Sequence, residues 1–393
     1  MTANAGPTVL QPAAPAPRAS AAPSPLGRLV ALDWMRGLVM VLMALDHSSD
    51  AFNAGRVFGD SAGSWHAGTP IAADQFFVRW VTHLCAPTFV FLAGTGLAFS
   101  VRKELSSGKT QRDVDRYMLT RGVVIAAFEL WISYFVMPKG QYLFQVLYAI
   151  GTSYLLMIPL RRLGDRLALV LAVSMMLGLE LVCGVLLGSY GGRPPLWAML
   201  LFVPGNPPHL FIGYPTLHWL ALMLLGWCFG SYLIRNPQTA VDLARKLLAA
   251  GGALLLCFAV VRGLDGYGNM ALYRDDASVV QWLHVSKYPP SLAFDTLELG
   301  ICFVLLSLLF ALSATRAPRP ASLLLVLGRT PMFFYLLHFP LLVTAAQLLG
   351  VEHKLGIPAA FLGATTVVAV LYPACRAYGR YKAAHKQGWA RYI

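Results

Sequence analysis

The sequence has few charged residues and no cysteine motif. Only 12% of its 393 residues are Asp, Glu, Lys or Arg, whereas 57% are hydrophobic, and the mean hydropathy is +0.60. A soluble domain usually carries about 25% charged residues, so the composition excludes an ordinary soluble globular protein. The six cysteines stand apart in apolar surroundings, without the spacing of a disulfide framework or a zinc site. We expect an all-α, polytopic membrane protein without a metal cofactor.

The N-terminal segment also lacks the apolar core of a secretory signal, being rich in Ala and Pro. We interpret residues 1–27 as a disordered cytoplasmic tail, 28–378 as one transmembrane helical domain, and 379–393 as a basic cytoplasmic tail. No internal repeat is strong enough to identify.

Long apolar runs recur along the rest of the chain. A bilayer core of about 30 Å needs roughly 20 apolar residues per helix. Ten segments come near that length: 29–51, 76–99, 118–137, 142–160, 167–188, 214–234, 247–264, 291–313, 322–347 and 357–375. About ten transmembrane helices are therefore predicted.

The basic residues predict the orientation. With the N-terminus in the cytoplasm, 21 of the 31 Lys and Arg residues lie on the cytoplasmic side, eight lie on the other side, and Arg36 and Arg329 lie within membrane segments. Both termini are therefore expected to be cytoplasmic. This topology, with attraction to anionic membrane lipids, accounts for the net charge of +13, and no nucleic-acid partner is expected.

The first helix carries an unusual polar stripe. Arg36 and His47 are eleven positions apart and differ by only about 20° around an α-helix, but lie about 16 Å apart along its axis. They should share a face without touching. Charges inside a bilayer are costly and usually face a bundle interior or an aqueous cavity, so the stripe indicates two depths of one pathway.

Structural explanations of the stripe remain open. Asp33 can pair with Arg36 at the i, i+3 spacing, and His47 can lie in the headgroup zone. Function is favoured for His47, because flanking carboxylates, here Asp46 and Asp50, can orient an imidazole and make it more basic.

Other polar residues separate by depth. The topology places Arg36 and Arg329 in the inner half of the membrane. The outer half and outer loops hold acid/base residues: His66, His83, Glu129, His284, Asp295, Glu298 and His338. Basic residues on the inner side suit an anionic donor, and the outer residues suit proton transfer. The stretch from Gly328 to Pro331 is expected to interrupt a helix and to leave backbone carbonyl groups without their helical hydrogen bonds. Arg329 could instead donate hydrogen bonds to those carbonyls.

Several blocks resemble one family. They are LDWMRGLVMVLMALDH (32–47), THLCAPTFVFLAGTGLAFS (82–100), VLYAIGTSYLLMIPL (146–160), YPTLHWLALMLLGWCFG (214–230), VSKYPPSLAFDTLELG (285–300) and LGRTPMFFYLLHFPLL (327–342). Together they resemble the bacterial membrane proteins related to the catalytic domain of heparan-alpha-glucosaminide N-acetyltransferase. The KYPPS and GR-P-FYLLH peptides are the most specific.

This resemblance implies a transmembrane acyltransferase in the bacterial cytoplasmic (inner) membrane, whose helices surround a pore. There, acetyl-CoA from the cytoplasm meets an acceptor from the other side. The LD-x-x-RG pattern, and an Arg followed eleven positions later by His, match a signature of the related O-acyltransferases. The lysosomal relative has an amide at the position of His47 and an active histidine in the next loop, to which His66 could correspond.

The expected reaction is transfer of acetyl to a hydroxyl or amine of an envelope or extracytoplasmic sugar. His47 is the first candidate for the general base, oriented by Asp46 or Asp50, with His83 and His66 as alternatives. A histidine could instead carry the acetyl group covalently. Arg36 and Arg329, with Asp33, are expected to bind the phosphates of CoA. Lys287, Tyr288, His338 and Glu298 are expected near the acceptor.

A second hypothesis is a proton-coupled transporter or flippase for a small anionic, glycan or lipid substrate, which would use the same polar path. The lack of a clear repeat argues against it. The acceptor, N- versus O-acetylation and the oligomeric state are left open by the sequence.

Overall fold

The structure is a computed structural model that describes residues 25–385 and Gly388. Its helices in chain order are α1 (Pro25–Phe52), α2 (Ala73–His83), α3 (Cys85–Ser106), α4 (Gln111–Val136), α5 (Val146–Leu160), α6 (Asp165–Ser189), α7 (Leu196–Leu201), α8 (Thr216–Arg235), α9 (Ala240–Leu264), α10 (Val279–Leu283), α11 (Leu292–Thr315), α12 (Leu323–Arg329), α13 (Pro331–Leu348) and α14 (Ile357–Ala384). Two short strands, β1 (Tyr142–Phe144) and β2 (Leu210–Ile212), pair in parallel.

The predicted all-α, polytopic architecture is confirmed. Within the described residues, eight helical stretches are long and apolar enough to cross a membrane, with α2 and α3 counted as one stretch. Helix α1, with 28 residues, and the shorter α5, with 15, occupy the two remaining predicted segments. The chain is therefore a multi-pass membrane protein.

Three predicted segments differ from the observed elements. Residues 142–144 form β1, so α5 begins only at Val146. The segment 322–347 is divided, because Pro331 has no backbone N–H to continue α12, and α13 begins there. Helix α14 continues to Ala384, so the predicted C-terminal tail 379–393 is helical in its first part. The rest of that tail, apart from His385 and Gly388, and most of the predicted N-terminal tail 1–27 lie outside the described residues.

Helix α1 occupies the centre of the bundle. It packs against α3, α11, α12, α13 and α14, so its polar stripe does not face lipid. The start of α1 and the end of α14 lie at the same end of the molecule, because Arg36 and Lys382 line one cavity. The membrane side that this end faces stays a prediction.

Two glycines bring α1 and α12 into direct backbone contact. A Cβ on Gly37 would lie 1.9 Å from the carbonyl oxygen of Leu324, and one on Gly328 would lie 1.8 Å from that of Asp33. No larger residue fits at either position, because real Cβ atoms do not approach so closely. This close crossing places Arg36 and Arg329, which adjoin the two glycines in sequence, at one end of the bundle.

Candidate active site: two polar pockets on one helix

Two polar cavities meet the α1 stripe at its two ends. The arginine pocket, about 380 Å³, is lined by Asp33, Arg36, Phe89, Leu92, Ala93, Gly96, Phe99, Ser100, Arg121, Ile125, Ile150, Tyr154, Gly328, Arg329, Pro331, Met332 and Lys382. The histidine pocket, about 520 Å³, is lined by Asp46, His47, Asp50, Arg56, Phe58, Asp60, Ser61, Gly63, Ser64, Arg79, Gln145, Pro204, Gly205, Asn206, Phe211, Gly213, Tyr214, Tyr288 and Phe339. They share no lining residue. The expected separation of Arg36 from His47 is therefore observed.

His47 is held by helix α13. Its Nδ1 lies 2.8 Å from Nε2 of His338, and its ring stacks on Phe339 with centroids 3.9 Å apart. His338 itself is fully buried and does not line the histidine pocket. The structure thus places His338 behind His47, which does not fit the direct contact with the acceptor expected from the sequence.

Asp46 does not orient His47, contrary to expectation. Its Oδ1 accepts hydrogen bonds from Arg56 (2.9 Å), Arg79 (2.7 Å) and Thr82 (2.8 Å). The carboxylate therefore organises two arginines, and the imidazole takes its partner from α13 instead. Because those donors already occupy it, Asp46 is better suited to holding the pocket wall than to moving protons.

Asp50 also has an arginine partner. Its Oδ1 lies 3.2 Å from Nε of Arg56, and 28% of its side chain remains exposed. It contacts His47 through no hydrogen bond in the described structure. Asp50 therefore lines the pocket as a partly open carboxylate and does not orient the imidazole.

Asp60 is the second buried anchor of the wall. Its Oδ2 accepts from Nε (2.9 Å) and Nη2 (2.6 Å) of Arg79, and lies 3.3 Å from Nε2 of His83. Burial alone would raise the pKa of Asp60, but the charge of Arg79 and the contact with His83 outweigh burial and hold the pKa well below its ordinary value. The carboxylate is therefore ionised at neutral pH.

The segment before α11, which contains Lys287 and Tyr288, packs against Asp60 and Arg79. The backbone N–H of Lys287 donates to the carbonyl oxygen of Asp60 at 2.8 Å, and Arg79 donates to the Tyr288 hydroxyl at 3.3 Å. Burial alone would raise the pKa of Tyr288, but Lys287 and Arg79 outweigh burial and lower the pKa. Tyr288 lines the pocket, as expected for an acceptor-side residue, whereas Lys287 is 3% exposed and lies behind the lining.

The remaining candidates lie away from the histidine pocket. His66 is exposed on the loop after α1, and its carbonyl oxygen accepts from Thr69. His83 and Glu298 are buried, at 0% and 1% exposure. None of the three lines the pocket, so the structure brings neither alternative histidine to the place where His47 meets the cavity.

The arginine pocket has more cations than the sequence suggested. Asp33 accepts from Arg36 Nη1 at 2.9 Å and from Arg329 Nε at 3.4 Å, so Asp33 connects α1 to α12. Arg329 therefore pairs with a carboxylate; no described hydrogen bond joins it to a freed carbonyl. Arg121 and Lys382 complete the ring of positive charge.

Arg121 and Lys382 are two of the 21 basic residues that the predicted topology places on the cytoplasmic side, and the sequence gives no sign that they share a cavity with Arg36. Arg121 donates from Nη1 to the hydroxyl of Tyr117 at 2.7 Å, and its Nε has no partner in the described structure. Four cations thus surround a single carboxylate, Asp33. Guanidinium groups recognise phosphate through paired hydrogen bonds, so the three arginines of this pocket suit an anionic ligand such as the diphosphate of a nucleotide.

Comparison with known proteins decides the family. Residues 28–258 match the model of the family described as heparan-alpha-glucosaminide N-acetyltransferase, catalytic. The chain belongs to this family. No curated protein matches the chain.

The heparan-alpha-glucosaminide N-acetyltransferase match assigns the chain to membrane acetyltransferases. The matched residues contain both polar stations of α1, Arg36 and His47, together with Arg121. Phe339, Arg329 and Lys382 lie beyond residue 258, so the last helices complete both pockets. Within residues 25–385 and Gly388, no group of three or more His, Cys, Asp or Glu side chains could hold a metal ion.

Proposed function

We propose that the protein transfers an acetyl group from cytoplasmic acetyl-CoA to a hydroxyl or amine of an envelope or extracytoplasmic sugar, in the bacterial inner membrane. The observation that carries the proposal is the pairing of an arginine-rich cavity with a histidine-bearing cavity at the two ends of one helix. The family match supports acetyl transfer as the reaction class.

In this proposal the arginine pocket binds the phosphate groups of acetyl-CoA. Arg36, Arg121 and Arg329 supply guanidinium donors, and Lys382 adds a further positive charge. Asp33 holds two of these arginines in place and leaves the net charge of the pocket strongly positive. The predicted orientation, with basic loops in the cytoplasm, places this pocket on the side where acetyl-CoA is made.

His47 is the proposed general base. The acceptor's hydroxyl or amine gives its proton to His47 as its oxygen or nitrogen bonds to the acetyl carbonyl carbon. The carbon–sulfur bond breaks, and the electron pair stays on sulfur as the CoA thiolate. Abstraction of the proton by a positioned side chain commonly contributes about 10²–10⁴ to the rate.

The histidine pocket suits a sugar acceptor. Exposed Phe58 and buried Phe339 offer apolar surfaces, whereas Asn206, Gln145 and Asp50 offer polar groups. Its lining holds three carboxylates and two arginines, so it favours a neutral or positively charged acceptor over an anionic one. Because the two pockets share no lining residue, side chains between them have to move for the thioester to reach His47.

The test uses the purified full-length protein with acetyl-CoA radiolabelled in the acetyl group, and glucosamine or its N-acetylated derivative as acceptor. The two sugars distinguish N- from O-acetylation. We expect label on a sugar with the wild-type protein, and a loss of about 10²–10⁴ in turnover for His47→Gln. His66→Gln is the matched control, since His66 is exposed and outside the pocket.

Unreduced turnover of His47→Gln would contradict the assignment of the base, and loss in His66→Gln instead would transfer that role to His66. Binding of acetyl-CoA without labelling of any sugar from an envelope extract would contradict the proposed activity itself.

A further inference from the structure

The hydrogen bonds of His338 define which of its ring nitrogens carries a proton. Its Nδ1 lies 2.9 Å from the carbonyl oxygen of Phe334 and 2.9 Å from that of Tyr335. A carbonyl oxygen can only accept, so Nδ1 of His338 must carry a hydrogen and donate it. This follows from α13 itself, because both carbonyls belong to the preceding turn of the same helix.

The proton on Nδ1 determines the role of Nε2. A neutral imidazole has one N–H donor and one bare acceptor, so Nε2 of a neutral His338 is an acceptor. The only described group facing it is Nδ1 of His47, at 2.8 Å. His47 must therefore donate from Nδ1, and a neutral His47 is left with a bare lone pair on Nε2.

The reverse arrangement requires a buried cation. For His47 to carry its proton on Nε2, its Nδ1 would have to accept, so His338 would have to be protonated on both nitrogens. His338 is fully buried, and the ring of Phe334 stacks on it with centroids 4.9 Å apart. A charged imidazolium there would have no carboxylate partner among the described residues, and burying an unpaired charge is costly.

The free nitrogen of His47 faces the cavity. His47 lines the histidine pocket, whereas His338 does not. Nε2 of His47 has no hydrogen-bond partner in the described part of the chain, and the ring is fixed from the side by Phe339 at 3.9 Å. Its orientation is thus set by two contacts, a hydrogen bond at one nitrogen and ring stacking, that leave the other nitrogen available.

We propose that His338 is a positioning residue that selects the Nδ1–H tautomer of His47 and thereby makes Nε2 the atom that takes the acceptor's proton. This inference rests on the proposed function, in which His47 is the base. When Nε2 gains the proton, Nδ1–H donates from a cation to His338, and such charge-assisted hydrogen bonds are stronger than neutral ones. A neutral imidazole here serves the purpose that a carboxylate serves in other histidine-dependent enzymes.

The test compares two replacements of His338. His338→Phe keeps a planar ring among Phe334 and Phe339 but removes the acceptor. His338→Gln keeps an amide oxygen that can accept from Nδ1 of His47. We expect His338→Phe to lower kcat about 100-fold and His338→Gln to retain kcat within about tenfold of wild type. The KM for acetyl-CoA should stay unchanged in both, because the arginine pocket shares no residue with this site.

A second readout does not depend on activity. In protein labelled with 15N at histidine, the nitrogen shifts report which ring nitrogen carries the proton, and His47→Gln identifies the signals of His47. We expect the Nδ1–H form of His47 in wild type and in His338→Gln, and a mixture of both tautomers in His338→Phe. This measurement keeps the proposal testable even if His338→Phe does not fold.

Two results would overturn the inference: an Nε2–H tautomer of His47 in the wild-type protein, or undiminished kcat in a folded His338→Phe variant. These outcomes are separate from failure of the proposed function. If His47→Gln turns over normally, His47 is not the base; if His47→Gln is inactive and His338→Phe is fully active, only the positioning role is wrong.

Discussion

The two pockets use charge in opposite ways. The histidine pocket has three carboxylates and two arginines in its lining, and these side chains pair with one another. The arginine pocket has four cations around one carboxylate, and one of its guanidinium nitrogens has no described partner. Charges that are already paired hold the shape of a wall, whereas a guanidinium nitrogen without a described partner, here Nε of Arg121, is suited to an anionic ligand.

The difference explains why the charged residues of the two pockets need different interpretations. Arg79 is buried, 13% of the Asp46 side chain is exposed, and the two residues connect α1 to α2, so their removal should affect folding first. Arg36 and Arg121 face an open cavity, so their removal should affect donor binding first. The following predictions test this contrast, from the largest expected effect to the smallest.

Asp46→Asn should strongly destabilise the protein. The change leaves Arg56 and Arg79 without the carboxylate that both contact, and breaking a buried ion pair costs about 3–5 kcal/mol. Thermal unfolding in detergent measures the loss. Asp50→Asn is the control, since Asp50 has one ion pair, is 28% exposed, and should cost about 1 kcal/mol or less. Equal destabilisation by both would refute the contrast between wall and ligand-facing carboxylates.

Arg121→Gln should weaken donor binding while leaving the fold intact. A hydrogen bond to a charged group contributes about 1.5–3 kcal/mol, so the KM for acetyl-CoA should rise about 10- to 100-fold. Arg116→Gln is the matched control, because Arg116 is exposed on the same helix and outside the pocket. An unchanged KM in Arg121→Gln, or an equal rise in both variants, would remove Arg121 from the donor site.

Low pH should destabilise the folded protein through protonation of Asp60. Since its pKa is depressed in the folded state, the stabilisation by Asp60 is complete above the unfolded-state pKa of about 3.9 and is lost as pH falls below it. The free energy of unfolding should fall by as much as about 1.4 kcal/mol per pH unit from this group. Asp60→Asn should be less stable at neutral pH but show a shallower loss below pH 4; an unchanged slope would count against this role.

High salt should raise the KM for acetyl-CoA more than the KM for the acceptor, with a smaller effect than the substitutions above. Raising the ionic strength from 0.1 to 1 M shortens the Debye length from about 10 to 3 Å and screens the partly open arginine pocket. We expect the KM for acetyl-CoA to rise about two- to fivefold. The KM for a neutral sugar acceptor should change little, and a parallel rise in both would show that the surplus charge does not act on the donor alone.

The sequence predicted the features that depend on local pattern. Hydropathy located the ten apolar segments, although residues 142–144 form a strand and the segment 322–347 is divided at Pro331. Helical geometry put Arg36 and His47 on one face at two depths. Both inferences need only residues within one helix. The separation of the two stations, and the burial of the stripe within the bundle, follow from the same geometry.

The partners of those stations could not be predicted in the same way. His338 is 291 residues from His47, and the two meet only because α13 packs against α1. Asp46 was assigned to His47 because the two are adjacent in sequence, but adjacent residues on a helix point in different directions, and the arginines reach Asp46 from the following loop and α2. Arg121 and Lys382 were counted for topology, and only the packing of α4 and α14 shows that both face Arg36.

One feature of α1 has a consequence for donor choice. The helix runs for 28 residues with no proline after its first position, so it holds Arg36 and the imidazole of His47 about 16 Å apart along its axis. A continuous helix of this kind is a molecular ruler. Under the proposed function, it would discriminate among acyl donors by length and favour those whose carbonyl lies about this distance from their phosphates. A short acetyl thioester that lacks the phosphates would have no group for the arginine pocket to bind. It would therefore reach the imidazole of His47 without being held in place.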